Sequence, residues 1–187
     1  MTAFSPQIIG PFWGASELCL ALMKRSKSDA TSKDRNSLIL IWLVILSAAA
    51  LGAVAAGRLR SCELHFSGFV SAFVFWFFVL GLVLRWYSII HLGRFFTVNV
   101  AISANHQLVD SGPYHFIRHP SYTGSLMAVL GFALSLQNWA SLLIIFVPCC
   151  AVTLWRIHIE EAALLDALGQ QYRSYMQRTK RLIPFIY

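Results

Sequence analysis

Long apolar runs separated by short polar stretches make up most of this 187-residue chain. Five of these runs predict five membrane-spanning helices, at about Phe4–Met23, Leu38–Ala56, Phe66–Ile90, Ser121–Leu136 and Trp139–His158. The second run holds no charged residue, and at about 1.5 Å per residue it would extend about 28 Å, close to the thickness of a bilayer's hydrocarbon core. The pattern therefore predicts an all-α integral membrane protein.

Details within the runs refine this prediction. Only Gln137 and Asn138 separate the fourth and fifth runs, which predicts a tight antiparallel helical hairpin. Pro148 lies inside the fifth run and predicts a kink there. Glu17 interrupts the first run, and we interpret it as a helix-packing residue rather than a chemical one. Arg85, followed by two aromatic residues, is typical of an interfacial anchor.

Basic residues concentrate at the ends of the apolar runs. The formal net charge is +7, and only 12% of the residues are charged, against roughly 25% in soluble domains. The first loop holds five basic residues and the second only two; they are Lys24, Arg25, Lys27, Lys33 and Arg35, then Arg58 and Arg60. The positive-inside rule then places the first loop, the third loop and the C-terminus in the cytoplasm. This distribution suits a lipid bilayer as partner, and we expect no nucleic-acid binding.

Familiar soluble-enzyme motifs are missing from the sequence. The four cysteines form no CxxC pair, so neither a disulfide framework nor a zinc site is expected. His115 and His119 are four residues apart, but Pro120 interrupts a regular helix there, and we expect no metal. Neither a GxGxxG nor a GxxxxGK[ST] loop occurs, and no serine lies in a GxSxG motif.

Polar chemistry instead gathers in two stretches, "GPYHFIRHPSYTG" (112–124) and "LWRIHIEEAALL" (154–165). The predicted hairpin brings both to the cytoplasmic side. Pro120 suits the first turn of a helix, whose N-terminus favours anionic groups. Arg156 and Glu160 are four residues apart and share a helix face, so that Glu161 points elsewhere. Two plainer interpretations stay open: Arg118 and His119 as positive-inside anchors, and Arg156–Glu160 as an ordinary ion pair.

The motifs "HQLVDSGPYHFIRHPSYTG" and "RIHIEEAALLDALGQQYRSYMQRTKRLIP", in this order and spacing, resemble the isoprenylcysteine carboxyl methyltransferase family over about His91–Tyr187. The resemblance implies an integral membrane enzyme that transfers a methyl group from S-adenosylmethionine to a lipophilic acceptor. In eukaryotic members the acceptor is the carboxylate of a prenylated cysteine. The compact chain looks like prokaryotic members, which implies a bacterial inner membrane with the active site facing the cytoplasm.

The resemblance also implies roles for individual residues. Arg156 matches the arginine at the substrate carboxylate and is the expected catalytic residue. The expected cofactor-binding residues are His106, Leu108, Val109, Tyr114, His119, Pro120, Tyr122 and Glu160. By this resemblance, residues 1–90 form three N-terminal membrane spans, and residues 91–187 form the methyltransferase core with its hairpin and cytoplasmic tail.

Two other functions stay open at this point. The ending "RLIPFIY" resembles that of membrane NADPH-dependent sterol-type reductases, which are generally longer. A non-enzymatic membrane scaffold or carrier would also account for the spans. Binding of S-adenosylhomocysteine or of NADPH separates the three possibilities.

Overall fold

A computed structural model describes residues 5–23, 32–93 and 108–187 of the chain. The helices in these ranges are α1 (Pro6–Met23), α2 (Ser32–Arg58), α3 (Gly68–Leu92), α4 (Pro120–Ser135), α5 (Trp139–Leu168) and α6 (Gln170–Arg178). Short 3-10 turns lie at Arg60–Cys62 and Gly112–His115. Within these ranges extended pairing is limited to the isolated bridges Glu63–Asn138 and Ile117–Lys180. The predicted all-α architecture is confirmed.

Helices α3 and α4 pack closely because glycines face each other at their contact. A Cβ on Gly124 would lie 2.5 Å from the Gly81 carbonyl oxygen and 2.6 Å from the Arg85 nitrogen. A Cβ on Gly131 would lie 2.7 Å from the Cβ of Phe78. Small residues at a helix contact let two backbones approach, which is a common way of joining helices in lipid. This contact fixes the position of α4 in the bundle.

The predicted hairpin of α4 and α5 is confirmed. Gln137 adopts a φ of 50° in the turn, and the Asn138 side chain caps α5 by accepting a hydrogen bond from the Ser141 nitrogen at 3.0 Å. The Ser141 hydroxyl donates to the Gly52 carbonyl at 2.7 Å and so ties the hairpin to α2. Helix α5 continues through Pro148 as far as Leu168, instead of ending near His158. The helix therefore extends into the polar region with both of its glutamates.

Helix α1 joins α3 and α4 through aromatic, ionic and hydrogen-bonded contacts, the last from Trp86 Nε1 to the Ser16 hydroxyl at 2.7 Å. The rings of Trp13 and Phe132 lie 5.5 Å apart. Arg85 donates a 2.6 Å hydrogen bond to Glu17 in an ion pair that is mostly buried. The interpretation of Glu17 as a packing residue is confirmed, whereas that of Arg85 as an interfacial anchor is wrong. The carboxylate and the guanidinium pair because an unpaired charge in apolar surroundings is costly.

Large apolar side chains cover the outside of the bundle, as expected of helices in lipid. Phe73, Trp76 and Leu80 on α3 are each more than half exposed. Among the described residues, three helices are long and apolar enough to span a membrane: Ile39–Arg58 of α2, together with α3 and α5. Helix α4 has 16 residues and α1 carries Pro11 and Glu17. The chain is an integral membrane protein, while the number of five spans stays a prediction.

Two predicted boundaries concern the end of the first loop and the division of the chain into two parts. The first loop was expected to reach Arg35, but α2 already begins at Ser32; residues 24–31 lie outside the described ranges. The division into residues 1–90 and 91–187 stays a prediction. Helices α1 and α3 pack directly on α4, so the two parts share one hydrophobic core, formed around Trp13, Phe78 and Phe132.

Candidate functional site

The candidate site lies where α5 leaves the bundle and α4 enters it. Tyr122, in the first turn of α4, donates a 2.8 Å hydrogen bond to Oε2 of Glu160 on α5. Arg156, one turn earlier on α5, also interacts with the Tyr122 hydroxyl and is only 2% exposed. Glu160 is half-buried. The site thus combines a buried guanidinium, a phenol and a carboxylate that is accessible from one side.

Glu161 faces a different set of groups from Glu160. Its Oε1 accepts hydrogen bonds from Arg118 Nε at 2.8 Å and from His119 Nε2 at 3.3 Å. Its Oε2 accepts from Arg181 Nε at 2.9 Å. The Glu161 side chain is 5% exposed. The pKa of Arg181 is raised, chiefly by its hydrogen bond to Glu161 and next by its hydrogen bond to Tyr187. Glu161 therefore joins α5, the start of α4 and the C-terminal tail by charge-assisted hydrogen bonds.

The C-terminal tail runs alongside the segment that leads into α4. The backbone nitrogens of Arg118 and His119 donate to the carbonyls of Lys180 at 2.7 Å and Arg181 at 3.0 Å. Thr123, next to Tyr122, donates from its hydroxyl to the Leu182 carbonyl at 2.8 Å. These bonds hold the tail beside Tyr122, against the start of α4.

Helix α6 and the 3-10 turn at Gly112–His115 close the site on the side of the tail. The Tyr175 hydroxyl donates to the Tyr114 carbonyl at 2.6 Å, and the Tyr114 hydroxyl donates to the Ser88 carbonyl at 3.3 Å. Burial raises the pKa of the Tyr114 phenol above its ordinary value, and the nearby Glu160 carboxylate raises it further. The phenol therefore keeps its proton at neutral pH.

The structure brings some of the predicted site residues together. Tyr122, Glu160 and Arg156 meet directly, and Pro120 is the first residue of α4, as predicted. His119 is buried beside Glu161. The plainer interpretation of Arg118 and His119 as interfacial anchors does not account for their buried contact with Glu161.

Three residues of the predicted site precede the 3-10 turn in the sequence. Leu108 and Val109 are half-buried in the segment just before the 3-10 turn, and His106 lies outside the described residues. His115 is exposed, with its ring edge-on to Phe116. No group of three potential metal-ligating side chains occurs in the parts of the chain that the structure describes.

Sequence reasoning missed Glu161, Arg181 and the tyrosines of α6. The sequence did contain a signal for Glu161. The side chains of two consecutive glutamates lie on different faces of a helix, and near a membrane interface each carboxylate needs its own polar or cationic partner. The interpretation used only the Arg156–Glu160 face. Nothing in the local pattern marks Arg181 as the partner, because the tail reaches Glu161 only through the tertiary fold.

The chain is similar to known proteins in both sequence and structure. The sequence profile of the isoprenylcysteine carboxyl methyltransferase family matches residues 73–166. The chain is 36% identical over 124 residues to protein-S-isoprenylcysteine O-methyltransferase B of Arabidopsis thaliana, covering 63% of this chain and 60% of the relative. It is 31% identical over 159 residues to the protein-S-isoprenylcysteine O-methyltransferase of Schizosaccharomyces pombe, covering 78% of this chain and 67% of the relative.

A solved structure supports the same assignment. The structure of the eukaryotic intramembrane Ras methyltransferase ICMT (isoprenylcysteine carboxyl methyltransferase) superimposes with a TM-score of 0.65 at 25% identity. The match covers 97% of this chain and 65% of that one, so this chain spans about two thirds of the solved protein's length. The matched profile includes the contact of α4 with α5, and the superposition extends it to nearly the whole bundle. The chain belongs to the isoprenylcysteine carboxyl methyltransferase family.

Proposed function

We propose that this protein is a membrane methyltransferase that uses S-adenosylmethionine to methylate a carboxylate on a lipophilic acceptor, such as a prenylated cysteine. The observation that carries the proposal is the junction of Tyr122, Glu160 and Arg156 at the end of the α4–α5 hairpin. Its support is the family, whose relatives are named as protein-S-isoprenylcysteine O-methyltransferases. A site at the membrane interface suits a reaction with one partner from water and one from lipid.

The residues present fit S-adenosylmethionine, whose sulfonium and ammonium groups are cationic. Glu160 offers a half-buried carboxylate, and the Tyr122 hydroxyl holds its Oε2 in place. The rings of Tyr114 and Tyr122 lie near the same carboxylate, and aromatic faces attract cations. Glu160, Tyr114 and Tyr122 would hold the cofactor with His119 and Pro120, while His106, Leu108 and Val109 would close over it. When bound, the cofactor supplies an electrophilic methyl group.

Arg156 would bind the acceptor. A carboxylate is already a nucleophile at neutral pH, so the protein needs no general base; it must align two ligands and exclude water. The guanidinium of Arg156 can hold a carboxylate by two parallel hydrogen bonds. It lies one turn deeper in the bundle than Glu160 and is buried, on the side from which a lipid-borne acceptor would arrive.

The proposed orientation places this site at the cytoplasmic face of a bacterial inner membrane. The argument is the bias of basic residues toward the first loop and the C-terminus. Tyr122, Glu160 and the tail lie together at one end of the bundle, so the orientation of the C-terminus also fixes that of the site.

Thermal unfolding of the purified protein tests this function. We expect S-adenosylhomocysteine to raise the melting temperature and NADPH to leave it unchanged. A ligand at 100 times its dissociation constant adds about 2.7 kcal/mol to the free energy of unfolding. A farnesylated cysteine analogue is the first acceptor to test with a methyl-labelled cofactor. Stabilisation by NADPH alone would instead favour the reductase.

A further inference from the structure

Tyr172 lies on the face of α6 that packs inward. Tyr172, Tyr175, Met176 and Thr179 are spaced so that they share one side of the helix and its C-cap. Tyr175 contacts the 3-10 turn through its hydroxyl, and the carbonyls of Met176 and Thr179 both accept hydrogen bonds from Nη1 of Arg118. Tyr172 stands one turn nearer to α5, whose C-terminal half carries Glu160 and Glu161.

The hydroxyl of Tyr172 is buried without a hydrogen-bond partner among the described residues. The side chain is 2% exposed, and its ring lies 5.9 Å from that of Tyr175. Tyr175 is equally buried, but its hydroxyl is bonded. Buried polar atoms are nearly always paired in folded proteins, and an unpaired one is destabilising. A phenol with no structural use for its hydroxyl is a candidate ligand-binding group.

The surroundings of this hydroxyl show what it can bind. Burial raises the pKa of Tyr172 above its ordinary value, and the carboxylates of Glu161 and Glu160 raise it further. The phenol therefore stays neutral. Glu161 is already occupied by Arg118, His119 and Arg181. Glu160 is bonded through Oε2 to Tyr122 and is half-buried. The charge of Glu161 is balanced by Arg118 and Arg181, so the half-buried carboxylate of Glu160 is the nearby group that favours a ligand group that donates protons.

We propose that Tyr172 is a further binding residue of the methyl-donor site and that its hydroxyl contacts a proton-donating group of the donor. This inference rests on the proposed function. The donor molecule carries such groups in two of its parts: the α-ammonium in its methionine part, and the ribose hydroxyls and the adenine amino group in its nucleoside part. Tyr172 would act together with Glu160, the phenol and the carboxylate binding the same polar part of the ligand.

Paired substitutions at two tyrosines of one helix face test the proposal. Tyr172→Phe removes a hydroxyl that has no partner in the described structure, so the ligand-free protein should melt at the same temperature or higher. Its affinity for S-adenosylhomocysteine should fall about five- to tenfold, the effect of one lost hydrogen bond. Tyr175→Phe is the matched control, because it loses the bond to the Tyr114 carbonyl. It should melt about 2–4 °C lower.

Titration calorimetry with two ligands then assigns the contact. 5′-Methylthioadenosine has the ribose of the donor but lacks its amino-acid part. If Tyr172→Phe weakens binding of S-adenosylhomocysteine alone, the contact is with the ammonium; if it weakens both, the contact is with the nucleoside part that the two ligands share. Unchanged affinity for both ligands, or a melting temperature lowered as in Tyr175→Phe, overturns the proposal. Failure of the wild-type protein to bind S-adenosylhomocysteine would instead reject the proposed function itself.

Discussion

Nε of Arg118 lies 2.8 Å from Oε1 of Glu161, although the two residues are 43 positions apart in the chain. This contact joins the segment before α4 to the end of α5, and both partners are buried. The adjacent Glu160 points to Tyr122 instead. The two consecutive glutamates therefore have different surroundings: Glu161 joins three segments of the fold, whereas Glu160 is half-buried and is the carboxylate that we propose binds the ligand.

The first prediction follows from this difference. Glu161→Gln removes the negative charge that faces Arg118, His119 and Arg181. Breaking a buried ion pair from one side costs about 3–5 kcal/mol, because the other charge stays buried without compensation. We expect a loss of about 3 kcal/mol in the free energy of unfolding, measured by denaturation in detergent micelles. Binding of S-adenosylhomocysteine should weaken with it.

Glu160→Gln is the matched control for this change. The amide can still accept the hydrogen bond from Tyr122, and the residue is half-buried, so the loss of stability should be smaller than that of Glu161→Gln. Affinity for S-adenosylhomocysteine should nevertheless fall at least about tenfold, since the charge is lost. The division of roles is wrong if the two variants lose stability equally or if Glu160→Gln binds as tightly as the wild type.

The second prediction concerns Arg156. Lysine keeps the positive charge but loses the planar fork that binds a carboxylate through two hydrogen bonds. We expect Arg156→Lys to bind S-adenosylhomocysteine nearly normally. Its methylation of a farnesylated cysteine analogue should be at least about tenfold slower, because a charged hydrogen bond contributes about 1.5–3 kcal/mol. A purely structural role predicts the opposite: full turnover in Arg156→Lys, and a joint loss of stability and cofactor binding in Arg156→Ala.

The sequence alone was sufficient to predict those features that depend on residues close together in the chain. The hairpin followed from the two-residue connection at Gln137–Asn138, and the start of α4 followed from Pro120. The meeting of the two polar stretches followed from that hairpin, because two helices joined by a short turn bring their far ends together, and the choice of Tyr122 and Glu160 within them followed from the family resemblance.

Contacts between distant segments could not be predicted in the same way. The partners of the Glu161 carboxylate can be identified only when the position of the tail against residues 117–119 is known. Local periodicity carries no information about that position. Arg85 was misinterpreted for the same reason. Its position near the end of an apolar run suits an anchor, and only the packing of α1 on α3 shows that Glu17 is its partner.

The third prediction tests the ion pair of Glu17 and Arg85. Glu17→Ala should lower the free energy of unfolding by about 3 kcal/mol, because it leaves a mostly buried guanidinium unpaired. Replacing both residues, Glu17→Leu with Arg85→Met, should recover most of that loss. The exposed pair of Asp110 and Arg178 is the control, and Asp110→Ala should cost less than about 1 kcal/mol. A double variant no more stable than Glu17→Ala would show that the pair has another use.

The fourth prediction concerns orientation in the membrane. In a chain whose four cysteines are replaced, a new cysteine at the exposed Ser174 of α6 should react with an impermeant maleimide only from the cytoplasmic side. A new cysteine at the exposed His65, between α2 and α3, should react only from the opposite side. Asn138 is unsuitable for labelling because it is buried and caps α5. Reaction of both positions from the same side would rule out the proposed topology.

The fifth prediction concerns the close contact of α3 and α4. In Gly124→Ala the new Cβ would meet backbone atoms, the Gly81 carbonyl oxygen and the Arg85 nitrogen, so α3 and α4 must separate. Overpacking of this kind costs about 1–3 kcal/mol. Because Tyr122 lies two residues before Gly124 on α4, the displacement should also weaken its bond to Glu160, and we expect lower affinity for S-adenosylhomocysteine along with a lower melting temperature.

Gly14→Ala is the control: nothing lies within 4 Å of its new Cβ, and a helical alanine should stabilise α1 by about 0.5–1 kcal/mol. Equal melting temperatures for the two variants would mean that the helices adjust to the methyl group without separating, and then Tyr122 would not depend on the α3–α4 contact for its position.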